Sequence, residues 1–330
     1  NWQMKISGTA SDTVATDENG NYTFTGLQVG NYSVAKINQE GWTQTFPLET
    51  GYDVQILSSS VAANKNFGVF KLGVISGIVF EDVNGDGIKD NSEPGIINRT
   101  ISLNTDFNQT LSNANGEYAF TDLPADQYIV TAEPIAGWLQ TVPKDFYNVN
   151  VKSGTAATSS HFGFFKLGSI AGLVFNDING NGIKDGGESG LQDWKLKLSG
   201  AQVDSQMSDA NGAYKFENLV GGVLELREEL QSGWYQTTPS SGSYAITMRS
   251  QLDTTNLSFG NYVLGKVSGF IFNDINSNNS YDAGEGGIAD WKLKINGTMT
   301  ESTMTNSDGF YAFEQLRIGS YTISQVVQTG

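Results

Sequence analysis

Residues 193–219 read DWKLKLSGAQVDSQMSDANGAYKFENL, and two short runs in this stretch decide the fold class. Apolar residues occupy every second position of WKLKL at 194–198 and again of AYKF at 213–216. A period of two is typical of a strand with one buried face. The Asn-Gly pair at 211–212 supplies the positive φ angles of a tight hairpin turn. Because no part of the chain shows a long, capped helical pattern, the sequence predicts an all-β protein.

The same pattern recurs along the chain. Opening segments with a shared GxxxGxxF pattern begin at Gly73, Gly168 and Gly265, a spacing of about 95 residues. They read GVISGIVFEDVNGDGIKDNSEPG, GSIAGLVFNDINGNGIKDGGESG and GKVSGFIFNDINSNNSYDAGEGG. This period is that of whole domains and is much longer than the ~20–50 residues of solenoid units. We therefore divide the chain into a first repeat (1–72), a second (73–167), a third (168–264) and a fourth (265–330).

Short strands with frequent turns over such a length predict an immunoglobulin-like β-sandwich in each repeat. The second and third repeats are expected to be complete. The first is expected to lack its opening strand and the acidic loop that follows it, and the fourth its closing strands, so we interpret the chain as a segment of a longer array. Short junctions such as Lys71–Gly73 and Lys166–Gly168 predict that neighbouring domains pack together, as in an elongated rod.

Composition excludes several classes of function. The 330 residues include no Cys and one His, which leaves almost nothing for a thiolate nucleophile, a Ser-His-Asp triad or a zinc site. The formal charge of −16 has the wrong sign for nucleic acid or an anionic membrane. No apolar run is long enough to span a bilayer. We expect neither an enzyme nor a direct membrane insertion.

A twelve-residue acidic loop follows each opening strand. In the second repeat, oxygen-bearing side chains stand at positions 1, 3, 5, 9 and 12 of residues 82–93, with Gly87 at position 6, as in a calcium loop of the EF-hand type. Ca²⁺ takes six to eight hard oxygen ligands, and position 7 supplies its backbone carbonyl. The predicted ligands are Asp82, Asn84, Asp86, Ile88, Asp90 and Glu93; Asp177, Asn179, Asn181, Ile183, Asp185 and Glu188; and Asp274, Asn276, Asn278, Ser280, Asp282 and Glu285.

The acidic loops admit other interpretations. They could be solvated turns only, but three copies in register that all keep the position-12 glutamate favour calcium. Magnesium demands a stricter octahedron. The flanking segments have strand patterns, which argues against a true EF-hand or a dockerin. Asp17 and Asp209, before two of the Asx-Gly turns, could belong to a further site, although turn capping is the simpler explanation.

The three loops are not equivalent. Asn181 and Asn278 replace the charge that Asp86 supplies at position 5, and Asn279 replaces the position-6 glycine. Asparagine adopts left-handed geometry more readily than most residues. We predict calcium affinity in the order 82–93, then 177–188, then 274–285.

These motifs resemble the B-type repeats of serine-aspartate-repeat surface adhesins of bacteria. The resemblance rests on the opening pattern, the NGxYxF turn and a later YxV…GW segment, and it covers essentially the whole chain. It implies calcium-binding, immunoglobulin-like stalk domains with several ions per domain, of which the residues alone place one per opening loop.

A related adhesin class carries a Lys–Asn isopeptide bond that a buried acid catalyses. The positions expected for its lysine read Glu81, Asn176 and Asn273, and those expected for its acid read Lys36, Ala132, Glu228 and Gln325. Since only Glu228 fits, we do not expect the bond. Trp42, Trp138 and Trp234 could form a carbohydrate-stacking stripe, but their fixed register favours core or corner positions.

The sequence therefore predicts a calcium-stabilised, extracellular stalk or fibre segment of a large prokaryotic surface protein. Its expected partners are neighbouring repeats or further copies of the same protein. The alternative is an adhesive module whose repeats bind a host or matrix protein or a glycan. A self-assembling filament or surface-layer subunit would share every sequence feature of a stalk.

Overall fold

The computed structural model describes residues 1–327, without the side chains of residues 105–107. Every regular element in this range is a β-strand, as predicted, and none of it forms a helix that could cross a membrane. The chain divides into two compact units, Asn1–Phe165 and Lys166–Gly330.

The first unit contains the first and second repeats. The strands of the first repeat are β1 (Gln3–Gly8), β2 (Asp12–Ala15), β3 (Gly30–Lys36), β4 (Trp42–Phe46), β5 (Tyr52–Ile56) and β6 (Gly68–Lys71). Those of the second repeat are β7 (Gly73–Glu81), β8 (Thr100–Leu103), β9 (Thr105–Leu111), β10 (Glu117–Leu123), β11 (Asp126–Ala132), β12 (Trp138–Val142), β13 (Tyr147–Val151), β14 (Ala156–Ala157) and β15 (Phe162–Lys166).

The second unit contains the third and fourth repeats. The strands of the third repeat are β16 (Gly168–Asn176), β17 (Lys195–Gly200), β18 (Asp204–Met207), β19 (Ala213–Leu219), β20 (Gly222–Glu228), β21 (Trp234–Thr238), β22 (Ser243–Met248), β23 (Asp253–Thr254) and β24 (Phe259–Val263). Those of the fourth repeat are β25 (Gly265–Phe270), β26 (Lys292–Gly297), β27 (Glu301–Met304), β28 (Phe310–Leu316) and β29 (Tyr321–Gln325).

The second and third repeats are two-sheet sandwiches with the same topology. In the third repeat one sheet has the order β19-β16-β24-β21 and the other β18-β17-β20-β22. The opening strand β16 runs antiparallel to β19 and parallel to β24, the last strand. Because it has a partner on both edges, the opening strand lies in the middle of its sheet and delivers the acidic loop to one end of the sandwich.

The first and fourth repeats contain parts of the same plan. The sheets of the first repeat have the orders β2-β1-β3-β5 and β4-β6, and those of the fourth the orders β25-β28 and β27-β26-β29. In the second repeat the last strand, β15, lies between β7 and β12, whereas within the described residues of the first repeat β6 pairs with β4 alone.

Alternating side chains fill the cores as the sequence predicts. Trp194, Leu196, Leu198, Tyr214 and Phe216 are all nearly inaccessible to solvent in the third repeat. The Tyr214 hydroxyl donates a hydrogen bond to the Leu257 carbonyl, which ties the hairpin turn to the segment before the last strand.

The tryptophans that recur once in each of the first three repeats pack against other apolar side chains. Trp138 and Trp234 pack against the cores of their repeats, and Trp42 meets Trp2 edge to face with ring centroids 5.4 Å apart. The predicted core or corner packing is confirmed for Trp138 and Trp234, which are partly buried against the cores.

The first two repeats are directly joined. Leu72 alone separates β6 from β7, and the Lys71 amide donates to Ser153 Oγ at 2.9 Å. The Gly154 amide in turn donates to the Lys71 carbonyl at 2.8 Å. Phe70 packs against the core of the second repeat. The predicted packing at this junction is therefore confirmed.

Candidate metal centre

Each acidic loop is closed at its base by backbone contacts. The residue before position 1 donates its amide to the carbonyl of the residue after position 12, at 2.9–3.0 Å in all three loops. One step further out, isolated antiparallel bridges pair Phe80 with Gly95, Phe175 with Gly190, and Phe272 with Gly287. The ends of each loop are thus fixed by the sheet, and the twelve residues between them must coil.

The glycine in each bridge packs against the Asx-Gly turn. A Cβ placed on Gly190 would lie 1.8 Å from the Asn211 carbonyl oxygen, and the equivalent distance is 2.0 Å at both Gly95 and Gly287. No side chain fits there. This close approach connects the acidic loop to the hairpin that follows it.

The carboxylate at position 1 organises the loop backbone. Asp177 Oδ1 accepts a hydrogen bond from the Asn181 amide at 3.1 Å, and Oδ2 accepts one from the Gly182 amide at 2.7 Å. The 82–93 and 274–285 loops make the same two bonds. Asp82 and Asp177 are fully buried, whereas Asp274 is half-buried.

The glutamate at position 12 reaches back to the start of the loop. Glu188 Oε1 accepts from the Ile178 amide and Oε2 from the Asp185 amide, both at 3.0 Å. Glu93 and Glu285 repeat this pattern and, like Glu188, are almost fully buried. The sequence spacing predicts such a reach, and the structure places all three glutamates accordingly.

Amides surround the carboxylate at position 9. Asn179 and Asn181 each donate to Asp185 Oδ2 at 2.8 Å, and these bonds lower the pKa of Asp185. Equivalent bonds from Asn276 and Asn278 lower the pKa of Asp282.

The 82–93 loop carries more negative charge. Asp86 stands where the other loops have asparagine, and Asn84 donates to its Oδ2 at 2.9 Å. Burial raises the pKa of Glu93. The backbone amides of Asp90 and Val83 act in the opposite direction, and the negative charges of Asp82 and Asp90 raise the pKa further. With four carboxylates against three in each of the other loops, this loop has the strongest internal repulsion between like charges.

The residue at position 6 of each loop adopts the left-handed backbone conformation that the sequence predicts. Gly87 and Gly182 at position 6 both have φ of 77°, and Asn279 has φ of 62°. The prediction that asparagine takes the glycine conformation in the fourth repeat is confirmed.

The oxygen atoms of these loops fit calcium by their chemistry. Within residues 1–327, no three Asp, Glu or His side chains already converge as a metal cluster. The loop carboxylates instead accept backbone amides, and a carboxylate oxygen has a second lone pair that remains available. The donor set contains only carboxylate, amide and carbonyl oxygens, which suit Ca²⁺ and not a thiophilic metal. For calcium to bind, the asparagine at position 3 of each loop, and the asparagine at position 5 of the 177–188 and 274–285 loops, must turn the side-chain oxygen towards the ion.

Threonine from strand β21 supports the third-repeat loop. Thr237 Oγ1 donates to Asp177 Oδ2 at 2.5 Å, and the Asp177 amide donates to the Asn261 carbonyl at 2.7 Å. The equivalent hydroxyl of Thr141 in the second repeat is buried and finds no hydrogen-bond partner among the described residues. The repeated GWxQT segment was the only sequence signal for this residue.

Asp17 and Asp209 cap their turns. Asp17 Oδ1 accepts the amides of Asn19 and Asn21, and Asp209 Oδ1 accepts those of Asn211 and Ala213, all at 2.8–2.9 Å. Both carboxylates therefore have a local role without a metal.

A buried acid–amide pair lies elsewhere in the third repeat. Asn261 Nδ2 donates to Glu228 Oε2 at 2.9 Å, while in the part of the chain that the structure describes Glu228 Oε1 and Asn261 Oδ1 are buried without hydrogen-bond partners. Burial raises the pKa of Glu228 to about 8. Sequence reasoning selected Glu228 as a possible acid but missed Asn261, because the strands that carry them are far apart in the chain.

All four repeats match one known domain family. The sequence model of the SdrD B-like domain matches residues 3–76, 71–169, 168–266 and 262–330. The chain belongs to this family. Its SdrD B-like repeats are 27% identical over 96% of the chain to serine-aspartate repeat-containing protein D of Staphylococcus aureus. They are 31% identical over 72% of the chain to serine-aspartate repeat-containing protein F of Staphylococcus epidermidis.

The SdrD B-like repeats span only part of these relatives, 27% of the length of the first and 16% of the second. Among solved structures, the Bacillus anthracis TIE protein is 12% identical, with a TM-score of 0.31 over 99% of this chain and 63% of that one. BcpA, the major pilin subunit of Bacillus cereus, is 10% identical, with a TM-score of 0.29 over 77% of this chain and 88% of that one.

Proposed function

We propose that the chain is a calcium-stabilised structural segment of a prokaryotic cell-surface protein, acting as a stalk or fibre outside the cell. The observation that carries the proposal is the identical hydrogen-bonded framework of three acidic loops, each at the end of an opening strand. Membership of the SdrD B-like family supports it.

In the 82–93 loop, Asp82, Asn84, Asp86, Asp90 and Glu93 would hold calcium through their side chains, with the Ile88 carbonyl at position 7. The corresponding residues of the other loops are those predicted from the sequence. Bound calcium would supply positive charge that offsets the repulsion between loop carboxylates. The chain itself supplies a base closed by backbone bonds and a position-1 carboxylate already oriented by amides.

The charge distribution explains why such a segment would need the ion. Ten of the 35 carboxylates of the chain lie in the three loops. Extracellular calcium modules bind at ~10⁻⁴–10⁻³ M, and a tenfold excess over Kd would stabilise each site by about 1.4 kcal/mol. The chain has no cysteine and therefore no disulfide, so bound calcium ions would serve as its cross-links.

The partners in this proposal are neighbouring repeats or other copies of the protein, and no catalysis is involved. An adhesive module for a host protein or glycan is the alternative. Arg99 stands where the third repeat has Trp194, and its guanidinium donates to the Glu133 carbonyl at 3.0 Å. This internal bond gives no specific support to a binding surface there.

A thermal melt of the intact chain with millimolar calcium and with chelator tests the proposal. We expect a calcium-dependent rise in melting temperature, together with an extended and stiff small-angle scattering profile. The same melting temperature in both conditions would contradict calcium stabilisation. Robust binding on a glycan array or a matrix-protein screen would instead favour the adhesive alternative.

A further inference from the structure

The 177–188 loop contacts the fourth repeat. A Cβ placed on Gly180, at position 4 of the loop, would lie 3.0 Å from Ile318 Cδ1 and 3.7 Å from Tyr262 Cε1. Gly180 has φ of 72° and stands between two predicted ligands, Asn179 and Asn181. The loop surface therefore packs directly against a turn of the next domain.

The same turn is held by two aromatic residues of the third repeat. The Ile318 amide donates to the Tyr262 hydroxyl at 3.2 Å, and the Arg317 guanidinium lies 4.3 Å from the centre of the Tyr235 ring. The rings of Tyr235 and Tyr262 are themselves 5.4 Å apart. Tyr262 is buried although it lies on the last strand of its sandwich, because this turn and the loop cover it.

The covalent connection between the two repeats is short. Leu264 alone separates β24 from β25, and its amide donates to the Gly233 carbonyl at 2.8 Å. Gly180, Tyr235 and Tyr262 together form a seat for the 317–318 turn of the fourth repeat. One side of this seat is the loop itself.

We propose that the 177–188 loop and the 317–318 turn are energetically coupled, so that calcium in the loop fixes the direction of the fourth repeat. The inference rests on the proposed calcium function and adds the contact through which the ion acts. When the carboxylates of an ion-free loop repel one another, Gly180 shifts and Ile318 loses its packing surface. Coupling is reciprocal, so removal of the Ile318 contact must also weaken calcium binding to this loop.

The test uses the intact chain with Ile318→Ser, which removes the side-chain contact and keeps the backbone donor. Val29→Ser is the matched control, since Val29 occupies the same place in the first repeat and is 62% exposed. The variants Glu93→Gln and Glu285→Gln form a background in which only the 177–188 loop keeps its position-12 carboxylate. Because the chain has no Cys, Ser205→Cys and Ser302→Cys place spin labels on the third and fourth repeats alone.

In this background, we expect calcium to narrow the distance distribution between the labels and chelator to broaden it. Ile318→Ser should weaken calcium binding about fivefold, at the lower end of usual coupling energies, and should keep the distribution broad in calcium. Val29→Ser should change neither measurement.

If Ile318→Ser leaves both the calcium Kd and the distance distribution unchanged, the coupling is refuted while the proposed function stands. A change in only one of the two also refutes it, because a coupling must act in both directions. If calcium binds none of the loops of the unmodified chain, both the proposed function and this inference fail.

Discussion

At the scale of single residues, the acidic loops depend on a few positions that admit one kind of side chain. The position-12 glutamates reach two backbone amides that an aspartate would not reach. The bridge glycines leave no room for a Cβ against the Asx-Gly turn. Both requirements follow from distances within a loop whose ends are fixed by the sheet.

Glu188→Gln should abolish calcium stabilisation of the third repeat. The amide keeps the shape of the side chain but removes its negative charge, and bidentate ligation at position 12 requires a carboxylate. We expect calcium to no longer raise the melting temperature of this repeat. The unfolding of the third repeat is followed through the fluorine resonance of 5-fluorotryptophan at position 194. Glu229→Gln, at an exposed residue paired with Lys197, is the control. A shift that survives Glu188→Gln would exclude Glu188 as a ligand.

Gly190→Ala should destabilise the third repeat even without calcium. The added methyl would lie 1.8 Å from the Asn211 carbonyl oxygen, so backbone must move. Overpacking of this kind costs about 1–3 kcal/mol. Urea unfolding in the presence of chelator measures the loss. Gly186→Ala, where a Cβ meets nothing within 4 Å, is the matched control and should be nearly neutral.

At the scale of elements, strands β20 and β24 bring together Glu228 and Asn261, a pair that no local sequence pattern predicts. Glu228 ends β20 and Asn261 lies in β24, in the other sheet of the sandwich. In the other repeats the position of Glu228 is occupied by Lys36, Ala132 or Gln325. The third repeat alone therefore buries a carboxyl group at this point of its core.

The stability of the third repeat should fall as the pH rises from about 4.5 to about 8, because Glu228 loses its proton in the folded chain only near the upper value. Folding raises the pKa of Glu228 from its ordinary value of 4.5 to about 8. Between these values the unfolded chain has released a proton that the folded chain keeps, so the free energy of unfolding decreases with pH and levels off above pH 8. The full change is about 3–5 kcal/mol.

Glu228→Gln should remove this dependence, since its side chain stays neutral. Urea unfolding at pH 5 and at pH 8.5, followed through Trp194, gives the comparison, and Glu229→Gln is again the control. An unchanged pH dependence in Glu228→Gln would show that another group is responsible.

At the scale of the whole molecule, the three loops form a graded series along the chain. The 82–93 loop has a fourth carboxylate, and the 274–285 loop has asparagine at position 6 and a half-buried Asp274. Each difference alters the charge or rigidity that sets calcium affinity.

Calcium should therefore fill the loops in sequence, first 82–93, then 177–188 and last 274–285. Titration of the intact chain, followed by backbone amide resonances at Gly87, Gly182 and Asn279, resolves the individual sites. The reverse order would mean that position-5 charge does not govern affinity here.

The sequence by itself determined the all-β class, the recurrence of the opening segments at Gly73, Gly168 and Gly265, and the position of the three loops. Those features depend on local periodicity and on spacing within short segments, which a single chain displays directly. The alternation at Trp194–Leu198 and the left-handed Asn279 are examples that the structure confirms.

Only the tertiary structure decided which distant residues meet. The Glu228–Asn261 pair, the Thr237 bond to Asp177 and the packing of Gly180 on Ile318 each join strands or loops separated by 33 residues or more. No local preference encodes such contacts, because they depend on sheet order and on how two domains pack. Local sequence thus encodes the loops, whereas the Thr237 bond and the contact of the 177–188 loop with the fourth repeat arise from the fold.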